Sequence, residues 1–216
     1  MYAPGLTSDK ISPAWLQQQL YSLSGAKLTG LWLGEDLGAV GSDVLEWPSR
    51  AGNALINRTS AKFGVGSKGG HRGLLAANTT NVLLSLIGSP IAKSVICVAD
   101  TMHIPTSAQY GLVTAGTFAT GPYASMLVLT SGATWYASSA WTHFLDGAAS
   151  ENLVAGVHVY QADKSTNDAT GIGIGSWATD PPWPNLIFCA LTFSTALGTS
   201  GSAIAATLRK YYSSVL

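Results

Sequence analysis

The chain has 216 residues, a formal net charge of zero and only 10 % charged residues. Binding to nucleic acid or to an anionic membrane surface needs clustered Lys and Arg, so this composition excludes both as the main partner. No apolar run approaches the roughly 20 residues of a transmembrane helix, and the N-terminal sequence MYAPGLTSDKISP lacks the basic and apolar regions of a secretory signal. The length suits one domain, and the low charge favours a surface that other subunits cover in part.

The first 25 residues predict an arm that carries one short helix. Ser12 is a suitable N-cap and Pro13 suits the first helical position, and both precede the segment AWLQQQL. We expect residues 1–25 either to pack on the domain or to reach a neighbouring subunit, with Trp15, Leu16 and Leu20 as the contact residues. Residues 26–216 are expected to form the domain itself.

From Lys27 onward the sequence predicts many short β-strands separated by Gly, Pro, Asn and Ser. This spacing is typical of an all-β sandwich or barrel. The segments SVICVAD and NLIFCALTF are almost continuously apolar, as in central strands covered on both faces. Cys97 and Cys189 lie in these two segments, and buried free thiols are favoured over a disulfide between them.

The segment WTHFLDGAASENLVAGVHVY, residues 141–160, is either an active-site loop or a bend between two strands. It contains His143, Asp146 and His158. The pair Asp146-Gly147 is typical of a hairpin turn, because Gly accepts a positive φ and Asp bonds to its own backbone. The two histidines lie beside apolar residues in strand patterns, which favours a structural role for each.

Near the C-terminus the segment AIAATLRKYY predicts an amphipathic helix that lies on a sheet. Ile204, Leu208 and Tyr211 share one face, Ser200 or Ser202 can cap the helix, and its basic residues fall in the last turn.

Catalytic and metal sites find little support in the sequence, and we predict neither an enzyme nor a metal or other cofactor. A glycosidase needs two facing carboxylates, and no alternating acidic run contains Glu35, Glu46 or Glu151. No G-x-S-x-G motif occurs. A dispersed serine triad stays as a minor alternative, with four candidate histidines: His71, His103, His143 and His158. A calcium site would draw on three loop aspartates, for which turn formation is the favoured role: Asp146, Asp163 and Asp168.

Several segments then occur in a recognisable order: WPSRAGNAL, SVICVAD, YGLVTAG, SMLVLTSGATWYA, FLDG, GVHVYQAD, GIGIG, NLIFCALTFSTALG and LRKYY. From about Trp32 to Tyr212 the chain resembles the laminin-G-like, concanavalin A-like jelly-roll domains, especially those of bacteriophage virion proteins. The most recognisable unit is an apolar strand, an S-x-x-L loop and a helix, which includes Phe193, Ser194, Ala196 and Leu197. The resemblance implies a concanavalin A-like β-sandwich with a short N-terminal arm and a C-terminal amphipathic helix.

The resemblance also implies a function in a tailed-phage virion, as a head-decoration, fibre or tail-associated module. Other virion proteins and further copies of the chain would be its partners. The alternative is a carbohydrate-binding module that recognises a surface polysaccharide of the host. Trp177 and Trp183 bracket the proline-rich segment SWATDPPWP and, with Trp141 and Tyr136, are the candidate sugar-binding aromatics. The competing interpretation is that these rings pack at the sandwich edge or against a subunit.

Overall fold

The computed structural model describes residues 11–57, 63–76, 86–88, 92–102, 110–115, 124–129, 141–164, 172–175 and 183–216. These residues form two α-helices, α1 (Pro13–Ser24) and α2 (Gly201–Tyr211), and three 3₁₀ turns at Gly25–Lys27, Gly34–Asp36 and Gly198–Ser200. The strands are β1 (Leu28–Leu33), β2 (Glu46–Trp47), β3 (Leu55–Asn57), β4 (Phe63–Lys68), β5 (His71–Ala76), β6 (Leu86–Gly88), β7 (Ser94–Asp100), β8 (Tyr110–Ala115), β9 (Ala124–Leu129), β10 (Trp141–Leu145), β11 (Ala148–Ala149), β12 (Val157–Lys164), β13 (Ile172–Ile174) and β14 (Ile187–Phe193). The prediction of an all-β protein with two short helices is confirmed.

The strands form two antiparallel sheets. The larger sheet has eight strands in the order β11-β10-β12-β7-β14-β5-β4, with β1 also paired to β14. The smaller sheet has six strands in the order β2-β3-β6-β13-β8-β9. Strand β14 therefore has three partners, because β7 lies along one side while β1 and β5 share the other.

The larger sheet is covered on both faces. Val95, Cys97 and Ala99 of β7 point into a core shared with the smaller sheet, which contributes residues such as Trp47 and Leu112. The alternate residues Ile96 and Val98 point into a second core beneath the two helices. The molecule is thus layered as smaller sheet, larger sheet and helices, and the two strands that form in the predicted central segments, β7 and β14, are buried throughout.

Helix α1 begins where the sequence predicts it. The Ser12 hydroxyl accepts a hydrogen bond from the Trp15 backbone N–H at 3.1 Å, and Pro13 occupies the first helical position. A helix of 12 residues is marginal by itself in water, so its stability depends on packing. Leu16 and Leu20 supply that packing, because both are fully buried in the second core.

The segment around Asp146 is a hairpin turn, as predicted. Leu145 pairs with Ala148, and the two residues between them have positive φ, 51° at Asp146 and 89° at Gly147. A two-residue turn of this kind matches the twist of its strands. A Cβ atom on Gly147 would lie only 2.9 Å from the Ser202 Cα atom, so the turn also supports α2.

Cys97 and Cys189 are both buried free thiols, which confirms that prediction. No helix among the described residues is both long and apolar enough to span a membrane.

Candidate functional site: a cleft beside Glu35 and His71

A cleft of about 570 Å³ opens where four segments meet: the start of α1, the 3₁₀ turn Gly34–Asp36, the turn between β4 and β5, and the end of α2. Pockets for small ligands have volumes of about 300–1,000 Å³. Its lining combines an acid, a base, a histidine, a tyrosine and three serines, which are Glu35, Lys210, His71, Tyr211, Ser12, Ser213 and Ser214.

The turn at one wall of the cleft depends on two glycines. Gly69 and Gly70 have φ of 56° and 84°, and they join Lys68 to His71 in a two-residue hairpin. The segment after α2 packs tightly on this turn, since a Cβ atom on Gly69 would lie 2.4 Å from Val215 Cγ1. The Ser214 hydroxyl donates to the Gly69 carbonyl oxygen at 2.7 Å and so fixes the two walls together.

Glu35 and His71 form the polar centre of the cleft. Glu35 Oε1 lies 2.6 Å from His71 Nδ1, and each side chain is only 16 % exposed. A carboxylate only accepts, so Nδ1 carries the proton and Nε2 stays as the second polar atom of the ring. The ring packs against both Tyr211 and Tyr212, whose ring centroids are 5.1 Å and 4.8 Å away. This packing fixes the orientation of the imidazole.

Tyr211 keeps its proton in this setting. Burial of the phenol raises its pKa, and the negative charge of Glu35 raises the pKa further. The hydroxyl is therefore a neutral polar group at physiological pH and is poorly suited to act as a nucleophile. Lys210 lies at the rim, where its Nζ atom is 5.2 Å from the centroid of the Trp15 ring. That contact ties the end of α2 to α1.

The cleft contains a carboxylate–histidine pair, an arrangement that hydrolytic triads also use. Glu35 and His71 are arranged as an orienting carboxylate and a base, and serines line the same space. A nucleophilic serine would donate to the free histidine nitrogen, but Ser214 donates to the Gly69 carbonyl oxygen instead. The observed arrangement fits ligand binding better than acyl transfer.

Asp146 connects three elements away from this cleft. Its carboxylate accepts hydrogen bonds from the Val159 backbone N–H at 3.0 Å, from His158 Nδ1 at 2.8 Å and from Arg209 at 2.5 Å. Burial opposes ionisation, but these bonds outweigh it and lower the pKa of Asp146. His158 thus has the structural role that its strand pattern indicates.

Asp163 secures the loop between β14 and α2. It accepts from Ser94 Oγ at 2.5 Å, from Gln161 Nε2 at 3.0 Å and from the Gly198 backbone N–H. Ser94 Oγ in turn accepts from the Leu197 backbone N–H at 2.9 Å. Asp146 and Asp163 therefore belong to separate bond networks, while Asp168, the third suggested calcium ligand, lies outside the described residues.

The structure does not place the predicted sugar-binding aromatics together on a described surface. Trp183 is fully buried, and its indole N–H donates to the Asp100 carbonyl oxygen at 3.2 Å. Trp141 is 6 % exposed and lies in the core between the sheets. Neither ring offers an open face, which corrects the expectation of an exposed Trp183, while Trp177 and Tyr136 lie outside the described residues.

The predicted arm residues lie against their own domain. Leu16 and Leu20 are buried beneath α1, and the half-buried Trp15 meets Lys210. Of the other histidines considered for a serine triad, His143 is buried on β10, and His103 lies outside the described residues.

Sequence reasoning missed the pairing of Glu35 with His71. Strand β1 ends at Leu33, and Glu35 lies in the 3₁₀ turn that follows it. The two residues are 36 positions apart, so no local spacing marks them. The sequence does contain a local signal for the position of His71. The pair Gly69-Gly70 directly before it is typical of a tight hairpin turn.

Comparison with known proteins gives only distant likeness. No protein-family model matches the chain, and no curated protein sequence matches it. Two solved structures of Trypanosoma rangeli sialidase resemble it at 12 % identity: one in complex with 2,3-difluoro-KDN, at a TM-score of 0.41, and one in complex with 2,3-difluorosialic acid, at 0.42. Each comparison covers 87 % of this chain and 33 % of the sialidase chain. The chain thus spans about a third of those proteins, and the likeness carries no activity over to it.

Proposed function

We propose that the protein is a structural module of a tailed-phage virion, a head-decoration, fibre or tail-associated part with a concanavalin A-like jelly-roll body. In this proposal it assembles with copies of itself and with other virion proteins, and it contributes to adhesion at the host surface. The order of the sequence segments and the two stacked antiparallel sheets support the proposal.

The observation that carries the proposal is the use of the scarce charged side chains. Arg50 pairs with Asp36 through two contacts of 2.6 Å, Arg209 pairs with Asp146, and Lys68 pairs with Asp100 at 2.7 Å. Each pair joins segments that are distant along the chain. The bidentate pair of Arg50 with Asp36 has the geometry that fixes the position of one segment on another, whereas the half-exposed Arg209 and Lys68 contribute less. With its few charges engaged inside the molecule, the chain leaves a weakly charged surface, which suits contact with other subunits.

An assembly unit also needs a contact surface, and the edge of the smaller sheet offers one. Leu45 is 74 % exposed and Ile56 is 44 % exposed. Both lie at the β2–β3 end of this sheet, where Glu46 pairs with Ile56 and the Asn57 backbone N–H donates to the Leu45 carbonyl oxygen at 2.9 Å. We assign this sheet edge, with the exposed Leu45 and Ile56, to the contact between copies of the chain.

Light scattering on the purified full-length chain tests the proposal. We expect a defined oligomer that the double variant Leu45→Ser with Ile56→Thr dissociates to a folded monomer. Removing residues 1–25 is unsuitable as a test, since it would uncover the core beneath α1. The matched control is Leu23→Ser, which alters a residue that is 46 % exposed on α1. A full-length chain that stays monomeric at high concentration would contradict the assembly role.

The alternative is a carbohydrate-binding module, and one observation favours it. The cleft beside Glu35 and His71 has the size and mixed lining of a small-ligand site. A monomeric protein that binds a glycan would support this alternative over the assembly role.

A further inference from the structure

We propose that the cleft beside Glu35 and His71 binds a neutral polyhydroxyl ligand of mono- or disaccharide size. The proposal concerns a different place from the aromatic residues that the sequence suggests. It does not rest on the assembly role, because a monomer and an oligomer would both carry the cleft.

The charge of the cleft favours a neutral ligand. Glu35 supplies one negative charge, and Lys210 supplies one positive charge at the rim. Because the lining carries one charge of each sign, its formal charge is balanced and gives no net attraction to an anionic or to a cationic ligand.

The polar atoms of the cleft suit hydroxyl groups. His71 Nδ1 is occupied by Glu35, so Nε2 accepts a hydrogen bond when the ring is neutral and donates one when it is protonated. Ser213 is exposed at the cleft, and its hydroxyl can both donate and accept. A ligand hydroxyl can also donate and accept, so it can form a hydrogen bond with His71 Nε2 or with the Ser213 hydroxyl whichever of the two roles that group takes.

The apolar part of the lining suits the carbon face of a sugar ring. Ile11 and Pro13 are partly exposed and line the same space as the polar groups. Tyr211 is buried and supports this wall from beneath, through its contacts with His71 and with Tyr212, whose ring centroid is 4.8 Å away. Walls that are fixed before binding lose little conformational entropy on binding, which favours recognition of a small ligand.

The test is saturation-transfer NMR and calorimetry with the methyl glycosides of glucose, galactose, mannose and N-acetylglucosamine. Gluconate and glucosamine serve as anionic and cationic probes. We expect at least one neutral glycoside to bind and both charged probes to bind at least about threefold more weakly, which corresponds to a lost hydrogen bond of ordinary strength. Competition by dextran would indicate a polysaccharide as the source of the sugar, and no competition would indicate a free or terminal sugar.

Two variants locate the binding. Ser213→Trp fills the cleft from an exposed position and should weaken binding by about tenfold or more. His71→Gln replaces the rigid imidazole by a flexible amide and loses the Nδ1 contact that holds the ring on Glu35, so it should weaken binding by roughly threefold to tenfold. Ser22→Trp places the same large side chain on the exposed face of α1 and should leave binding unchanged.

The result that overturns the proposal is binding that Ser213→Trp leaves unchanged, or no binding by any of the four glycosides. Tighter binding of gluconate or glucosamine would also overturn it. Should His71→Gln fail to fold, Ser213→Trp still decides, because its side chain lies outside both cores. Failure of the sugar experiment leaves the oligomer measurement unaffected, so the two proposals fail separately.

Discussion

Asp146 and Asp163 show how similar carboxylates acquire opposite pKa shifts. Both are largely removed from water, and both accept several hydrogen bonds. At Asp146 the bonds from Val159, His158 and Arg209 outweigh burial, and the pKa falls. At Asp163 burial outweighs the bonds from Ser94, Gln161 and Gly198, and the pKa rises. The difference follows from burial and from charge. Asp163 is 5 % exposed and its partners are neutral, whereas the Asp146 side chain is 23 % exposed and has the bases His158 and Arg209 as partners.

These shifts predict opposite pH dependence for two substitutions. Because Asp146 has a lowered pKa when folded, its stabilisation is present above the unfolded value of about 3.9 and is lost as the pH falls through the folded pKa. The destabilisation by Asp146→Asn should therefore shrink below about pH 4. Asp163 has a raised folded pKa, so the cost of Asp163→Asn should be largest at low pH and shrink as the pH rises. Urea unfolding between about pH 3 and pH 7 measures both.

The unaltered chain at each pH is the reference for both variants. Parallel pH profiles for the two variants would contradict the assignment of opposite shifts.

At the same scale, the sequence predicted the hairpin at Asp146 but not the pair of Glu35 with His71. A turn is a property of neighbouring residues, and Asp-Gly requires the backbone that is observed. A side-chain pair across 36 positions depends on how β1 and β5 are placed by the rest of the sheet. No local pattern contains that information.

At the scale of elements, α1 depends on packing. Leu16 and Leu20 are fully buried, and the helix is too short to be stable alone. Leu16→Ala or Leu20→Ala should lower the free energy of unfolding by about 2–5 kcal/mol, because each leaves a cavity beneath the helix. Urea unfolding followed by circular dichroism would measure the loss.

Leu23→Ala provides the matched control, because Leu23 is on the same helix and 46 % exposed. It should change stability by no more than about 0.5 kcal/mol. Equal effects at Leu16 and Leu23 would mean that α1 does not lie on the sheet as described.

Helix and strand positions were more predictable than strand partners. Ser12 and Pro13 fix the start of α1 by local hydrogen bonding and a fixed φ, so the sequence predicts it well. The pairing of β1 with β14 joins Leu28 to Phe193. Many apolar strands in this chain could pair with β14, and the residue pattern within one strand does not show which of them does.

At the scale of the whole molecule, the two thiols report on the layered packing. Cys97 lies in the core between the sheets, and Cys189 lies in the core beneath the helices. Burial raises the pKa of Cys189 to about 12 and that of Cys97 well above its usual value. Since the thiolate is the reactive form, neither thiol should react with a disulfide reagent until the protein unfolds.

Ellman's reagent in buffer and in guanidinium chloride provides the measurement. We expect no reaction in buffer and the reaction of both cysteines after unfolding. If one thiol reacts in buffer as fast as in the unfolded chain, the core that contains it is accessible to solvent, which would contradict the layered packing.

The overall class was predictable because apolar continuity marks buried strands, and the strands containing both cysteines are covered on two faces. The surroundings of Trp183 were not predictable. A tryptophan beside prolines suggested an exposed loop, yet its ring fills the core and its N–H bonds to Asp100. A tryptophan is compatible with an exposed loop and with a buried core position, and only the tertiary structure shows which of the two it occupies.

The central position of β14 has a consequence for synthesis on the ribosome. Strands β1, β5 and β7 are all made before β14, and each pairs with it. A nascent chain that stops before Phe193 therefore carries unpaired strand edges and lacks the middle of its larger sheet. Such edges favour association between chains. Folding of this sheet therefore cannot be completed until β14 has been made, and the strands made earlier keep open edges until then.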